Sequence, residues 1–363
     1  MKILQICDYA AKYRGNFIES LEYFRKNSLG NGDFMLYAFP ERMAERRNQW
    51  FFDLKKEVPA AIYKSSVKEK IRAFRKIIKE NGVDTVHTHF TDMKTDMCVN
   101  IACLGLRVKK FKHYRSSFGS FGTIKKFFAR LCYRSWNAVI CVSPHIMREA
   151  ESNIVSCKPV LLNDAVYFPR MDNYEKLCKP DLGVPEGAVL CFAIGYDYRL
   201  KGIDLACEAV KKLRDEGLNI YLAACTASNT QTIAEQIRAQ FGEFPEWLKL
   251  LPPRQDIASY YRAADIYIQA SRSEGFCYAI VEAAYCGKTV VASDCPGMKS
   301  HAEKNFDFLW FKNGDSDSLS EKLGQAVKMS ESSELSAKNR RSAIDNYSIE
   351  NMSKKLHRIY ADM

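Results

Sequence analysis

The 363-residue sequence lacks the features that mark several protein classes. No apolar run reaches the roughly 18 residues that a membrane-spanning helix needs. The 13 cysteines include no Cys-x-x-Cys pair, and an odd number without framework spacing indicates reduced thiols rather than disulfides or zinc. The first residues, MKILQICDYA, predict a strand rather than a signal peptide, because charged residues follow Cys7 almost at once. We therefore expect a cytoplasmic protein.

Charge is unevenly distributed along the chain. Residues 1–170 hold 30 Lys and Arg against 16 Asp and Glu, a net charge of +14, whereas residues 171–363 hold 24 against 27, a net charge of −3. This asymmetry indicates that one half alone faces an anionic surface or polymer. The sequence has no recognised nucleic-acid-binding module, so we expect no nucleic acid partner.

Short apolar runs alternate with longer amphipathic ones, a pattern typical of repeated βα units and parallel sheets. The predicted strands cover residues 2–7, 34–39, 85–89, 110–114, 138–142 and 159–162 in the first half, and 189–194, 219–224, 265–270, 289–293 and 308–311 in the second. Predicted helices include residues 66–80, 202–214, 230–241 and 316–329. The fold class is therefore α/β.

A turn-rich stretch, residues 163–187, lacks a periodic apolar face and indicates a domain boundary. We predict a Rossmann-like N-terminal domain over residues 1–165 and a Rossmann-like C-terminal domain over residues 166–345. A closing helix over residues 346–363 is expected to pack back on the N-terminal domain. Two such domains facing each other would leave a cleft at the carboxyl ends of both sheets, where α/β folds bind ligands.

The stretch SRSEGFCYAIVEAAYCG, residues 271–287, has the most specific pattern in the chain. It predicts a turn at the carboxyl edge of a sheet, followed by a helix that ends at Gly287. The start of a helix offers free backbone N–H groups to an anion, and Gly275 allows a ligand to approach closely. Glu274 and Glu282 lie eight residues apart, and a carboxylate accepts two hydrogen bonds from a sugar diol. The pattern predicts a nucleotide-sugar site.

The alternative for these acids is structural. Ser271 and Glu274 match a capping box, and Glu282 would then be an exposed helix residue. The strand before the turn, the acid–Gly–aromatic turn itself and the helix after it agree with one another, and together they favour the ligand site.

The stretch resembles the signature of retaining glycosyltransferases of the GT-B fold, specifically glycosyltransferase family 4. The resemblance implies that Glu274 contacts the transferred sugar and that Glu282 holds the ribose of the donor. It also implies that four consecutive backbone amides hold the sugar and the phosphates: those of Gly275, Phe276, Cys277 and Tyr278.

A second segment, AIGYDYRLKGIDLACEA (residues 193–209), resembles the family's glycine turn followed by Lys-Gly at a helix start. The resemblance implies that Gly195 borders the donor and that Lys201 and Arg199 neutralise the departing diphosphate, as charge-assisted donors. The family usually has an arginine directly after this glycine, where the chain has Tyr196. Arg199 is expected to substitute for it.

In the N-terminal half, DTVHTHF (84–90) resembles the family's Asp-x-x-His-x-His strand. HYRSSFGS (113–120) resembles bacterial capsule and exopolysaccharide members of the family. His113 is therefore a candidate for a residue near the reacting sugar, with a structural role as the alternative. His87 and His89 are expected to pack at the sheet edge. Gly15 is expected against the phosphates, although the usual double glycine is absent. LAACTASN (222–229) departs from the glycine-rich turn that the family has there.

The resemblance also implies the reaction. The donor is expected to be a nucleoside-diphosphate-hexose, with a UDP-sugar favoured, and the acceptor a glycan or a lipid-linked diphosphate in cell-surface polysaccharide synthesis. No carboxylate is marked out as the nucleophile that two inversions would need. The resemblance implies instead that the acceptor hydroxyl enters on the face from which the diphosphate departs. No cofactor and no obligatory metal are expected.

Residues 122–136, GTIKKFFARLCYRSW, interleave bases with aromatic and apolar residues. Such a segment is able to lie on an anionic bilayer with its aromatic side down, or to pack its aromatic residues onto the sheet. The +14 charge of the half favours peripheral contact with an anionic membrane surface or with a lipid-diphosphate acceptor.

Two functions other than transfer are open on the sequence. One is a non-catalytic, nucleotide-sugar-binding accessory subunit, and the other is an epimerase or phosphorylase-like enzyme of the GT-B fold. The presence of both acids together with Lys201 favours catalysis over the accessory role, and the pairing of Lys201 with Arg199 favours transfer over epimerisation.

Overall fold

The computed structural model describes residues 1–46, 48–154, 156–226, 230–329 and 332–363. Its strands are β1 (Lys2–Cys7), β2 (Phe34–Pro40), β3 (Ala60–Tyr63), β4 (Thr85–His89), β5 (Lys109–Tyr114), β6 (Ala138–Cys141), β7 (Pro159–Leu161), β8 (Val189–Ile194), β9 (Ile220–Cys225), β10 (Leu248–Leu251), β11 (Ile266–Gln269), β12 (Thr289–Ser293) and β13 (Leu309–Phe311). Its α-helices are α1 (Asn16–Asn27), α2 (Glu41–Glu45), α3 (Gln49–Glu57), α4 (Val67–Asn81), α5 (Met93–Ala102), α6 (Thr123–Tyr133), α7 (Pro144–Asn153), α8 (Pro169–Asp172), α9 (Ile203–Asp215), α10 (Thr230–Phe241), α11 (Ala258–Ala263), α12 (Tyr278–Tyr285), α13 (Pro296–Lys299), α14 (Ser316–Met329), α15 (Ser333–Tyr347) and α16 (Ile349–Asp362).

The chain divides into two compact units. The first comprises Met1–Ala165 and Ile349–Met363, and the second comprises Val166–Ser348. The first unit has a parallel sheet of order β3-β2-β1-β4-β5-β6-β7, and the second has a parallel sheet of order β10-β9-β8-β11-β12-β13. In each sheet the strand order reverses beside the first strand of the unit, which is the doubly wound arrangement of Rossmann-like domains. The predicted pair of Rossmann-like α/β domains is confirmed.

The central strands are apolar because helices cover both faces of a parallel sheet. Every residue of β6 and β12 is buried, as are five of the six residues of β1. In the second unit, α9 and α14 pack on the sheet through Ile203, Val210, Leu319 and Leu323, all of them buried. This packing holds the carboxyl ends of the strands in place.

Two short strands were not predicted, β3 and β10. Each has four residues and lies at an outer edge of its sheet. An edge strand is covered on fewer sides than a central one, so its sequence need not carry a long apolar run. The other strands begin and end within about two residues of the predicted limits.

The helix that follows the 271–277 turn has the predicted end. Cys286 is its C-cap and Gly287 follows with a φ of +75°, a left-handed conformation that glycine adopts without strain. The N-cap is Cys277 rather than Ser271, so the capping-box alternative for Ser271 and Glu274 is wrong.

The two phenylalanines of α6 do not pack onto the sheet. Phe127 and Phe128 are 59% and 52% exposed, whereas Trp136, beyond the helix, is buried. The core-packing alternative for this segment is therefore wrong for both phenylalanines. Among the described residues, no helix combines the length and the apolar character needed to cross a bilayer.

Candidate functional site

The candidate site of the second unit lies where its strand order reverses. β8 and β11 are parallel neighbours, so their carboxyl ends meet at one edge of the sheet. The turn after β8 carries Lys201, and the turn after β11 carries Glu274. α/β folds bind ligands at such a point because the two turns diverge and leave a crevice.

Lys201 and Glu274 form a nearly buried ion pair at this edge. The Lys201 Nζ atom lies 2.7 Å from Oε1 of Glu274. The same oxygen accepts a hydrogen bond from the Ser271 hydroxyl at 2.7 Å and a longer one from the Gln269 amide at 3.4 Å. These three donors do not use the second oxygen, Oε2. The ion pair therefore orients the Glu274 carboxylate and leaves Oε2 for a further donor.

The charge of Lys201 is stabilised by its partner. Burial disfavours the ammonium form, but the charge and hydrogen bond of Glu274 outweigh burial, and the pKa of Lys201 is raised above its usual value of 10.5. Lys201 is thus a cation at neutral pH, as a group that binds a diphosphate must be.

Two glycines let the turns pack this closely. Gly202 has a φ of +66°, and a Cβ atom there would collide with the carbonyl oxygen of Ala270, at the end of β11. A Cβ atom at Gly297, in α13, would collide with the carbonyl oxygen of Glu274. At both positions only glycine allows the two backbones to touch. Gly195 is also restricted, since a Cβ atom there would lie 2.7 Å from Cβ of Lys201.

The turn leading into α12 contains Gly275, Phe276 and Cys277, three of the residues whose backbone amides are predicted to bind the donor. Cys277 has a φ of +67° and caps the helix without a side-chain hydrogen bond. Gly275 and Phe276 are buried, and the ring of Phe276 lies 5.0 Å from that of His301 and 5.1 Å from that of Tyr347. The His301 Nε2 atom is 2.5 Å from the Phe276 carbonyl oxygen. These contacts hold the turn that precedes the start of α12.

Glu282 lies inside the unit rather than on its surface. One carboxylate oxygen is 3.1 Å from Nη2 of Arg170, and the other accepts a hydrogen bond from the Tyr261 hydroxyl at 3.0 Å. The alternative of an exposed helix residue is therefore wrong. A ribose diol at Glu282 would have to share the carboxylate with Arg170, a residue that the sequence did not single out.

Arg199 is the most accessible of the predicted site residues. Its side chain is 77% exposed and lies 3.2 Å from Asp204. Asp204 is already held by Arg272 through two hydrogen bonds of 2.8 Å, one to each carboxylate oxygen. The bidentate pair with Arg272 satisfies Asp204 and leaves the Arg199 guanidinium weakly held and free to meet an anion.

The two predicted site residues of the first unit are His113 and Gly15. Gly15 is the N-cap of α1, and a Cβ atom there would lie 3.1 Å from the Tyr9 hydroxyl. His113 ends the buried part of β5 beside His89 of β4, its partner in the strand register. His87 lies on the same face as His89 because strand residues alternate. His113 is thus one of three buried histidines rather than an isolated one.

One ring nitrogen from each of these histidines lies within 4.8 Å of the others, as in a metal site. The hydrogen bond from Arg115 argues against ligation by His113. The Nη2 atom of Arg115 lies 3.3 Å from Nδ1 of His113, and because a guanidinium only donates, Nδ1 accepts and the neutral ring carries its proton on Nε2. That Nε2–H group is a donor, not a metal ligand. Burial, the largest cause, together with nearby cationic side chains lowers the pKa of all three histidines well below 6.5, so they are neutral.

The sequence contains one Asp-x-Asp pattern, Asp315 to Asp317. Asp315 accepts a hydrogen bond of 3.0 Å from the backbone N–H of Ser318 at the start of α14. Asp317 pairs with Lys212 at 2.7 Å on the surface. These contacts assign the two acids to a helix start and an exposed ion pair.

Comparison with known families places this site in context. Residues 177–350 match the family described as glycosyl transferases group 1. The matched region contains β8 to α15, and with them Lys201, Glu274 and Glu282. The match covers 174 of the 363 residues.

Similar proteins are found among curated relatives and solved structures. The chain is 38% identical over 73 residues to N,N'-diacetylbacillosaminyl-diphospho-undecaprenol alpha-1,3-N-acetylgalactosaminyltransferase of Campylobacter jejuni, a stretch of 20% of this chain and 19% of that relative. It thus spans about a fifth of that relative's length. A glycosyltransferase of Rickettsia africae superposes with a TM-score of 0.82 at 19% identity, over 99% of this chain and 98% of the other. HepE of Anabaena, in complex with UDP and glucose, superposes with a TM-score of 0.76 at 16% identity over 100% of both chains. These likenesses show the fold, that of GT-B glycosyltransferases.

Several residues that build this group 1 site escaped the sequence analysis. Gly297 follows a short turn, and nothing local signals its contact with Glu274. Arg170 meets Glu282 across 112 positions of the sequence. Ser293, in β12, donates a hydrogen bond of 2.5 Å to the Ser271 carbonyl oxygen and so supports the Glu274 turn. The segment LAACTASN (222–229) was noted above because it departs from the family's glycine-rich turn. Its last three residues, 227–229, lie outside the described residues.

Proposed function

We propose that the protein is a retaining glycosyltransferase that moves a hexose from a nucleoside-diphosphate-sugar to a glycan or lipid-linked diphosphate acceptor in cell-surface polysaccharide synthesis. The observation that carries the proposal is the Lys201–Glu274 ion pair at the reversal point of the second sheet, beside the start of α12. It places a fixed cation and an oriented carboxylate beside the start of a helix.

Each group has a role in this proposal. Lys201 and Arg199 bind the diphosphate and stabilise the charge that grows as it departs. The amides of Gly275, Phe276, Cys277 and Tyr278 hold the phosphates and the sugar, and Oε2 of Glu274 accepts a sugar hydroxyl. Glu282 holds the ribose, with Arg170 fixing the carboxylate. In the first unit, His113 is proposed to lie near the reacting sugar and Gly15 near the phosphates. In the second unit, Gly195 is proposed to border the donor.

The proposed chemistry needs no protein nucleophile. The bond between the sugar and the diphosphate breaks, and the acceptor hydroxyl forms the new bond on the same face while the leaving phosphate takes its proton. The cations that neutralise the diphosphate are protein side chains, so we propose that the reaction requires no metal. A UDP-sugar is favoured as the donor, in keeping with the UDP and glucose bound to HepE.

A lipid-linked acceptor would bring the chain to a membrane. The Campylobacter jejuni relative is named for a diphospho-undecaprenol acceptor. The +14 charge of residues 1–170 is suited to an anionic lipid headgroup or diphosphate. We therefore propose peripheral attachment to the inner face of the cell membrane.

The test is incubation of the purified protein with a panel of nucleoside-diphosphate-sugars, with and without lipid-diphosphate acceptors, in the presence and absence of EDTA. Acceptor-dependent release of the nucleoside diphosphate, insensitive to EDTA, with retention of the anomeric configuration in the NMR spectrum of the product, is the expected result. Donor binding without release would instead identify an accessory subunit. An isomerised donor sugar would identify an epimerase.

A further inference from the structure

Two neighbouring helices of the first unit expose apolar side chains at helical spacing. On α6, Ile124, Phe127, Phe128 and Leu131 are 76%, 59%, 52% and 50% exposed. Their spacing of three and four residues places them on one face of the helix. On α5 and the turn after it, Met97, Ile101 and Leu104 are also exposed, again at spacings of four and three. We call these seven residues the α5–α6 surface.

The opposite faces of the two helices hold them to the unit and to each other. Ala129, Cys132 and Tyr133 of α6 are buried. The Tyr133 hydroxyl donates a hydrogen bond of 2.7 Å to Asp96 of α5, and the Asn100 amide donates one of 2.6 Å to the Cys132 carbonyl oxygen. The exposed phenylalanines are therefore additional to the core contacts of α6.

Basic residues border this surface. Lys126, Arg130 and Arg134 are exposed and follow one another every four residues, so they form a row along one side of α6. The 52 residues from Met97 to Arg148 contain ten Lys and Arg and no Asp or Glu. A row of bases beside an apolar stripe is the pattern of a helix that lies in the plane of a bilayer interface.

Shallow cavities flank α6 on both sides. One, of about 570 Å³, is lined by Met93, Ile124, Lys125 and Phe128 among others. The other, of about 280 Å³, is lined by Lys126, Phe127, Arg130 and Asn153 among others. Each combines an apolar wall with a cationic rim, which suits an acyl chain below an anionic headgroup.

We propose that the α5–α6 surface docks into an anionic lipid bilayer, with α6 parallel to the membrane and its apolar stripe at the boundary between headgroups and acyl chains. The inference rests on the proposed function, because a lipid-linked acceptor is the reason for the protein to contact a membrane. The proposed function attributes membrane attachment to net charge. The inference adds α5 to the attachment surface and names the side chains that insert into the bilayer.

Charge favours a bilayer over a second copy of this chain as the occupant. A symmetric dimer through the α5–α6 surface would bring two basic rows together without acids to compensate them. Anionic headgroups neutralise the row while the acyl region receives the phenylalanines, so both parts of the surface gain a partner.

The experiment measures co-sedimentation of the full chain with vesicles of phosphatidylcholine alone or mixed in equal parts with phosphatidylglycerol. We expect binding to the mixed vesicles, weakened by salt as the Debye length falls from about 30 Å to about 10 Å. The double variant Lys126→Gln/Arg130→Gln should bind about thirtyfold more weakly, since each basic residue near the surface contributes roughly a fivefold factor. The variant Phe127→Ser/Phe128→Ser should also lose binding, and hydrogen exchange should slow in α5 and α6 of the wild type on vesicles.

Matched controls make the same changes on α3. Phe52→Ser removes an exposed phenylalanine, and Lys55→Gln/Lys56→Gln removes two exposed charges. Both should bind vesicles like the wild type. Equal binding by the α6 variants, or no binding by the wild type, would overturn the proposal. A concentration-dependent dimer in sedimentation velocity that the Phe127→Ser/Phe128→Ser variant abolishes, without vesicle binding, would assign the surface to self-association.

Release of nucleoside diphosphate with a soluble acceptor separates this inference from the proposed function. The α6 variants should retain release, because their side chains lie outside the proposed donor site. If the protein binds vesicles but releases no diphosphate with any donor, the proposed function is disproved and the assignment of the α5–α6 surface to membrane binding is still supported.

Discussion

The ammonium group of Lys201 lies 2.7 Å from the Glu274 carboxylate although 73 residues separate them in the sequence. The two side chains meet because β8 and β11, which precede them, are neighbours in the second sheet. In the free protein each thus neutralises the other. In the proposed donor complex, the diphosphate would contact Lys201 and a sugar hydroxyl would contact Glu274.

We predict that Lys201→Ala lowers kcat by about 10²- to 10³-fold and raises KM much less, because charge on the leaving diphosphate grows toward the transition state. Steady-state measurement of diphosphate release checks this split. Lys211→Ala is the matched control, since Lys211 is exposed on α9 and pairs only at the surface with Asp215. A rise in KM at constant kcat would show Lys201 to be an anchor and not a catalytic group.

Glu282→Gln is predicted to weaken binding of the free nucleoside diphosphate by about 10- to 100-fold, since a hydrogen bond to a charged group contributes roughly 1.5–3 kcal/mol. Glutamine keeps the shape and still accepts from Tyr261, so the fold should persist. Tyr261→Phe removes the other partner of the carboxylate and should change affinity far less. Isothermal titration calorimetry measures both, and unchanged affinity in Glu282→Gln would refute the ribose assignment.

The sequence predicted where the turns of the site lie better than it predicted which residues contact them. Residues 271–287 combine a strand end, a glycine turn and a helix start within a few positions, so local pattern suffices to predict α12 and its Gly287 terminus. The contacts of Glu282 with Arg170 and of Glu274 with Gly297 depend on which elements pack together, and no local pattern reports that. The same limit explains β3 and β10, whose four residues at a sheet edge carry little periodic signal, and the clustering of His87, His89 and His113 from two strands.

Gly202→Ala is predicted to destabilise the second unit and to lower turnover, because alanine at a φ of +66° is strained and its Cβ would collide with Ala270. Gly242→Ala is the control for strain alone. Its φ is +81° and a Cβ atom there would meet nothing within 4 Å. The control should cost only about 1–2 kcal/mol. Thermal unfolding and diphosphate release measure both effects, and equal loss in the two variants would show that the close approach at Gly202 is unimportant.

His301 is predicted to make the second unit less stable in acid. Burial lowers its pKa from 6.5 to about 4, although the bond to the Phe276 carbonyl oxygen opposes this shift. The unfolded chain takes up a proton near pH 6.5, and the folded chain does so only near pH 4, so the stability contribution is complete above pH 6.5 and is lost as pH falls toward 4. Between pH 7.5 and pH 5 the loss from this group is about 2 kcal/mol.

His301→Gln tests this prediction, because glutamine is able to donate to the Phe276 carbonyl oxygen but does not titrate. Native-state hydrogen exchange at pH 7.5 and pH 5 gives the opening free energy of the β12 amides. The fall in this free energy between the two pH values should be about 2 kcal/mol smaller in the variant than in the wild type. The absolute stability of the variant does not enter this comparison, since only the change with pH is used. The five histidines of the first unit are unchanged in both proteins, so their titration cancels in the comparison. Equal losses in the two proteins would mean that His301 takes up its proton at the same pH folded and unfolded, and that it does not hold the Phe276 turn in its neutral form.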